Sequence, residues 1–369
     1  MSGAPAAATE PFAWGPATAR GLPEKLLSAA PGASAVAVGL YRRGQRSFAV
    51  RGSTAFEGGV PVEPSTRFEI GSLTKTFTAL LFAELAARGD VGHHDPAVRH
   101  LPPGTCVPAG GADITLTHLA THTSGLPRLP PGLLRSASRR LLTNPYAGFS
   151  RADVLRSLAR TRLRARPGTR VRYSNFGVGL LGHALCGAAG GFPYEDLLAA
   201  RVLRPLGLHD TNATPEPPSG ATQVTGHWHR RPRPPFGIPG LPGSGAVRSS
   251  AQDLLAFTEA LIGPGAAPVT GVPSAPLRTA LEDVVRPRLV LPRSTSRLAL
   301  IWNVRPRPDG SDLYHHSGGT LGCTAFAGFS PRHETALVVL ANSTPGPRAP
   351  LIQQAYDTLS HLLRTSADG

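Results

Sequence analysis

The stretch Phe68-Glu69-Ile70-Gly71-Ser72-Leu73-Thr74-Lys75-Thr76-Phe77 constrains this chain more than any other part of it. A short extended run breaks at Gly71. Leu73, Phe77, Leu80, Leu81 and Leu85 then recur at helical spacing as far as about Arg88, and Gly89 stands where a helix stop belongs. The pattern predicts a helix with Ser72 at its N-terminus, where free backbone N–H groups and the helix dipole favour developing negative charge. Lys75 lies one turn up on the same face, so its amine can reach the Ser72 hydroxyl.

A serine hydroxyl is a poor nucleophile without an adjacent base. A lysine can serve when burial or a neighbouring positive charge lowers its pKa. The chain has 38 Lys and Arg residues, and only Lys25 and Lys75 are lysine. A lysine in so arginine-dominated a chain points to an amine that can lose its proton, as a guanidinium cannot. Ser-x-x-Lys alone remains a weak signal, because many helices contain it by chance.

At 369 residues the chain is long enough for one large domain or two intermingled lobes, and its 42 Gly and 38 Pro predict many loops. The formal charge of +15 raises the question of nucleic acid. The arginines are scattered, and dense groups such as Arg230-Arg231-Pro232-Arg233 sit in Pro-rich segments with no nucleic-acid motif, so no nucleic-acid partner is expected. Cys106, Cys186 and Cys323 are isolated and read as reduced thiols, without a disulfide framework or zinc site. No basic-then-apolar leader opens the sequence, and no stretch approaches the roughly 18 apolar residues of a membrane span. A cytoplasmic location and no cofactor are the expectations.

Residues 1–30 read as an arm, with a helix beginning at Leu22–Leu27. Strands at 35–41 and 45–50 flank a turn at Arg43-Gly44. A short helix over His118–His122 ends at a polar turn. Its two histidines have the i, i+4 spacing of a metal pair but no third ligand, so they read as hydrogen-bonded structural residues. Ser150 and Asp153 form a capping box for a helix to about Leu163, and Ser250 and Asp253 cap another to about Ile262. Helices are also expected at 176–186, 194–203, 277–285 and 349–363, and strands at 299–304, 313–316, 324–329 and 336–340. Residues 211–246, rich in Pro and Gly, form either a substrate-covering loop or a flexible insertion. Strands at both chain ends imply an α+β fold: an antiparallel sheet built from the two ends and flanked by helices, with a mostly helical insert across a cleft. The expected division is one domain over 31–366, with an α/β lobe of about 31–75 and 290–366 and an insert of about 76–289.

Three pieces then converge: Ser72-Leu73-Thr74-Lys75, Tyr173-Ser174-Asn175, and His316-Ser317-Gly318-Gly319 at the exit of a strand. With Ile-Thr-Leu-Thr-His-Leu-Ala-Thr-His-Thr-Ser-Gly-Leu-Pro (114–127) and Pro-Leu-Gly-Leu-His-Asp-Thr (205–211), the sequence resembles the serine β-lactamase and penicillin-binding-protein superfamily. It is similar in particular to the class C β-lactamase-like serine hydrolases, including their esterases, over roughly residues 33–345. The resemblance implies that Ser72 is acylated and that Lys75 and Tyr173 share its proton. It implies that Asn175 hydrogen-bonds Lys75 or the substrate, and that the N–H groups of Ser72 and Gly319, beside Gly318, form the oxyanion hole.

His316 occupies the place of the lysine in the Lys-Thr-Gly motif of true β-lactamases. A histidine is mostly neutral near pH 7, so a β-lactam carboxylate loses its permanent cation. That departure tilts the expectation toward an esterase, amidase or acyl-transfer role on a small-molecule ester or amide. The family usually shows Gly before the tryptophan of the late strand, where this chain has Ile301 before Trp302. Competing readings are an acyltransferase, a β-lactamase or D,D-peptidase, and a non-catalytic ligand sensor. Oligomeric state is left open.

Overall fold

The structure is a computed structural model that describes residues 22–136, 144–263, 274–346 and 350–364. Most of the expected arm, residues 1–21, lies outside the described residues. In chain order, α1 (Leu22–Ser28) leads into a hairpin of β1 (Ala35–Arg42) and β2 (Gln45–Gly52). Next come β3 (Arg67–Glu69), a 3-10 turn at Gly71–Leu73 and α2 (Thr74–Arg88). The helical region holds α3 (Leu116–Ala120), α4 (Leu133–Ser136), α5 (Arg151–Ala159), α6 (Asn175–Ala188) and α7 (Tyr194–Leu198). Short strands β4 (His227–Trp228), β5 (Arg231–Pro232) and β6 (Arg248–Ser250) precede α8 (Ala251–Ile262) and α9 (Ala275–Val284). The chain closes with β7 (Leu289–Val290), β8 (Arg297–Leu298), β9 (Asn303–Pro306), β10 (Asp312–Gly319), β11 (Thr324–Ser330), β12 (Thr335–Ala341) and α10 (Leu351–Arg364).

Eight strands form one antiparallel sheet in the order β2-β1-β12-β11-β10-β9-β8-β7, so the two chain ends meet within it. Ala37 pairs with Leu340 and Val38 with Val339. Because side chains alternate across a sheet, this register divides the core in two. Val36, Val38, Leu337 and Val339 pack with Leu26 of α1 and with Ala355, Leu359 and Leu362 of α10. Ala35, Ala37, Ala336, Val338 and Leu340 face the other way, into the larger core shared with α8 and the helical region. Each large aliphatic side chain so covered contributes about 1.5–3 kcal/mol relative to exposure. The expected α+β architecture is the one observed.

Helix α2 runs through the middle of that larger core. Thr74 to Leu85 are all buried, a helix enclosed by protein on every side. Helix α8, which by sequence position belongs to the insert, packs on β1, β11 and β12.

Several expected elements move. Of the strand expected over 299–304, residues 303 and 304 begin β9, but 299–302 form a tight turn between β8 and β9: Ala299 N–H bonds to the Trp302 carbonyl, and Ile301 has φ +68. Its apolar residues are buried because the turn dips into the core, and that same apolarity imitates a strand. The helix from Ser150 ends at Ala159, four residues early, although its capping box forms as expected. The helix expected at His118–His122 lies at Leu116–Ala120, with His118 closing its capping box and His122 beyond it at φ +57. The strand expected to end at His316 continues as β10 to Gly319, so the whole His-Ser-Gly-Gly run lies on it.

Candidate active site

Ser72 sits in the 3-10 turn that feeds α2, one element earlier than the helix itself. Gly71 has φ +49, and a Cβ there would lie 2.4 Å from the Gly319 carbonyl oxygen. A Cβ on Gly318 would lie 1.9 Å from the Ile70 carbonyl oxygen and 2.9 Å from Ser72 N. Glycine at these positions lets the β10 backbone press against the Ser72 turn. That close approach is what the oxyanion-hole expectation for Ser72, Gly318 and Gly319 requires.

The three side chains expected to carry the chemistry are brought together. Lys75 Nζ donates to Ser72 Oγ at 2.9 Å, and Tyr173 Oη donates to the same oxygen at 2.6 Å. Tyr173 is delivered by the segment entering α6, whose N-cap is Ser174. Lys75 is fully buried, and that burial lowers its pKa against the opposing pull of Tyr173. Burial works against a Tyr173 phenolate, but the Lys75 charge beside it outweighs that effect and brings the phenol below its ordinary range. Both shifts move these groups toward the form that can accept a proton.

Asn175 does not bond to Lys75. Its Nδ2 donates to Tyr146 Oη at 3.2 Å, while Lys75 finds its second partner in the Ser244 carbonyl at 2.7 Å. His316 is buried, and burial followed by the nearby Lys75 charge holds it well below its ordinary pKa, so it is neutral.

Two cavities meet at Ser72. The larger, about 540 Å³, is lined by Tyr173, His122 and His316 and by apolar groups such as Leu291, Ile301 and Ile352. The smaller, about 280 Å³, is walled by Tyr146, Asn175, Phe236 and Ile238. Phe236 and Ile238 come from the 211–246 segment, which forms a wall of the site. Glu69 holds it there: Oε1 accepts from Phe236 N–H at 2.6 Å, and Oε2 accepts from Thr320 Oγ1 at 2.6 Å. Arg248 donates to the Phe236 carbonyl at 2.6 Å. Trp228 is 43% exposed and lines neither cavity.

Sequence reasoning missed Arg128, Tyr146 and Ser244. Arg128 lies 45 residues before Tyr173 in the chain, yet its guanidinium carbon stands 5.1 Å from the Tyr173 ring centroid. Its signal was its place directly after the 114–127 run. His122, expected to be a hydrogen-bonded structural residue, has a partner at only one of its ring nitrogens.

A helix-flanked antiparallel sheet with a serine, a buried lysine and a tyrosine converging at its edge defines the active-site-serine class of β-lactamase-like proteins. The chain belongs to the Beta-lactamase family, whose family model matches residues 24–359. It is 37% identical to the D-alanyl-D-alanine-carboxypeptidase/endopeptidase AmpH of Escherichia coli (strain K12), over 50% of this chain and 47% of that protein. The match thus spans about half the length of that relative. A Beta-lactamase of the same organism is 28% identical over 78% of each chain. Among solved structures, a Beta-Lactamase/D-Alanine Carboxypeptidase from Pseudomonas syringae has a TM-score of 0.75 at 23% identity, covering 92% of this chain and 97% of that one. A class C beta lactamase from Rhodobacter sphaeroides has a TM-score of 0.74 at 25% identity, covering 93% and 98%.

Proposed function

We propose that this chain is a serine hydrolase that cleaves a small ester or amide through an acyl-enzyme on Ser72, esterase-like more than β-lactamase. The observation that carries the reading is the double contact at Ser72 Oγ, from Lys75 at 2.9 Å and Tyr173 at 2.6 Å. Whichever of the pair is deprotonated accepts the serine proton as Oγ attacks the carbonyl carbon. The oxyanion forms against the N–H groups of Ser72 and Gly319. The pair returns the proton to the leaving atom as the bond to it breaks, on the side of Ser72 where Tyr173 lines the larger cavity. The acyl group then occupies the smaller one. Water attacks the acyl carbon and gives a proton to the same pair, which protonates Ser72 Oγ as the acyl C–Oγ bond breaks, releasing the acid and regenerating Ser72.

A neutral His316 in the place of a lysine supports the preference for esters over β-lactams. The carboxypeptidase/endopeptidase relative favours D,D-peptide hydrolysis as the second reading. Intact-protein mass spectrometry with p-nitrophenyl acetate, p-nitrophenyl butyrate, a chromogenic cephalosporin and a D-alanyl-D-alanine peptide tests both. An acyl adduct or turnover is expected with the esters and not with Ser72→Ala. Turnover confined to the cephalosporin or the peptide would reverse the esterase preference, and activity that survives Ser72→Ala would sink the mechanism.

A further inference from the structure

We propose that the arginine-rich strip at 160–172 is a docking track for a linear phosphate polymer without bases, leading to the mouth of the larger cavity. The arginines of this chain are spread along it, but the acids are not. Residues 114–194 hold twelve arginines and one acid, Asp153, so this stretch is the source of most of the formal charge of +15. Its densest part is Arg160-Thr161-Arg162-Leu163-Arg164-Ala165-Arg166, followed after a turn by Arg170 and Arg172. All six arginines are exposed, while Thr161 is buried and Leu163, Ala165 and Pro167 are half-buried. No ion pair among the described residues engages any of the six. Like charges gathered without counterions repel one another, and an anionic partner relieves that repulsion.

The strip is a fixed rail. Arg164 N–H donates to the Gly125 carbonyl at 2.7 Å, Gly168 N–H to that of Thr123 at 2.8 Å and Arg172 N–H to that of His122 at 2.8 Å, which ties it to the turn at 122–125. Val171 and Tyr173, at its end, line the larger cavity at Ser72, so a polymer on the strip is led to that cavity's mouth. Along its middle, Arg164 and Arg166 line a separate hollow of about 610 Å³ with His118 and Leu163, where Asp113 is the one acid among the lining residues. A hollow beside a row of cations suits a chain that lies in it, whereas a flat bilayer would span it. The strip also lacks the exposed apolar side chains that interfacial binding uses, and any aromatic ring on which bases stack. The partner that fits is therefore a flexible chain of phosphates without bases, held by guanidinium–phosphate pairs.

Binding of end-labelled inorganic polyphosphate, followed by fluorescence anisotropy from about 50 to 200 mM salt, tests the track. Docking stands apart from the reaction, so Ser72→Ala is expected to bind as the unchanged protein does. Docking with no turnover of any ester counts against the hydrolase reading alone. Arg162→Gln/Arg164→Gln/Arg166→Gln is expected to weaken binding about 10-fold or more and to flatten the dependence of log K on log salt by about two to three. The same three positions changed to Lys, which keeps the charge, are expected to recover most of the affinity, and a shared melting temperature separates lost docking from lost folding. Arg204→Gln/Arg231→Gln/Arg286→Gln removes the same charge from exposed positions elsewhere and is expected to stay within about threefold. No binding, or an equal loss in the two Gln triples, would overturn the track. Tighter strip-dependent binding to oligothymidylate of equal charge, or to phosphatidylglycerol vesicles, would reverse the choice of partner.

Discussion

Ile301 shows how one residue can shape the cleft. It lies at φ +68, where a β-branched side chain is strained by roughly 1–2 kcal/mol, and it is 1% exposed while lining the larger cavity. Its N–H is held by the Ala120 carbonyl at 2.9 Å, which fixes the turn. Ile301→Gly relieves the strain but removes buried side chain worth about 2–5 kcal/mol, so a lower melting temperature is expected. The vacated space should raise kcat/KM for naphthyl esters relative to phenyl esters. An unchanged ratio would show that Ile301 does not bound the substrate. Ser72, Lys75 and Tyr173 were legible because motif and spacing carry them. The places of Arg128 and Tyr146 were not, because only the fold brings segments distant in sequence together around Tyr173 and Asn175.

At the scale of elements, interior strands and capped helices were the legible part: β1, β11 and β12 follow the expected apolar runs, and the Ser150 and Ser250 caps form. The β8–β9 turn was not legible, since a buried turn and a strand share the same apolar composition. Nor was the ordering of 211–246, which depends on two charged groups elsewhere in the chain. Glu69 and Arg248 are both buried and stand 3.5 Å apart, with Glu69 joining that segment to Thr320 beyond β10. Glu69→Ala leaves Arg248 without its carboxylate and is expected to cost about 3–5 kcal/mol. Thermal unfolding measures that loss, and KM for the preferred ester should rise as the Phe236 wall loosens. An unchanged melting temperature would remove Glu69 from this role.

For the whole molecule, Asp253 is one of the groups that tie stability to pH. Burial pushes its carboxyl up to about 7, with Asp210 adding to the rise and the Thr211 hydrogen bond opposing it. The unfolded chain ionises at about pH 3.9, so between about pH 4 and 7 the folded state holds a proton that the unfolded state has lost. This group therefore lowers stability as pH rises through that window and adds no further loss above it. Asp253→Asn is expected to gain on wild type from about pH 4 to 7 in denaturant titrations. A difference that is flat with pH would contradict the assignment.

The pairing of β1 with β12 also governs when the protein can exist at all. Val38 waits for Val339, about 300 residues later in the chain, and translation at ~5–20 residues per second makes that wait roughly 15–60 s. Throughout it, the β1–β2 hairpin presents an unpaired apolar edge to the cell, so the nascent chain depends on being shielded until its last strands emerge.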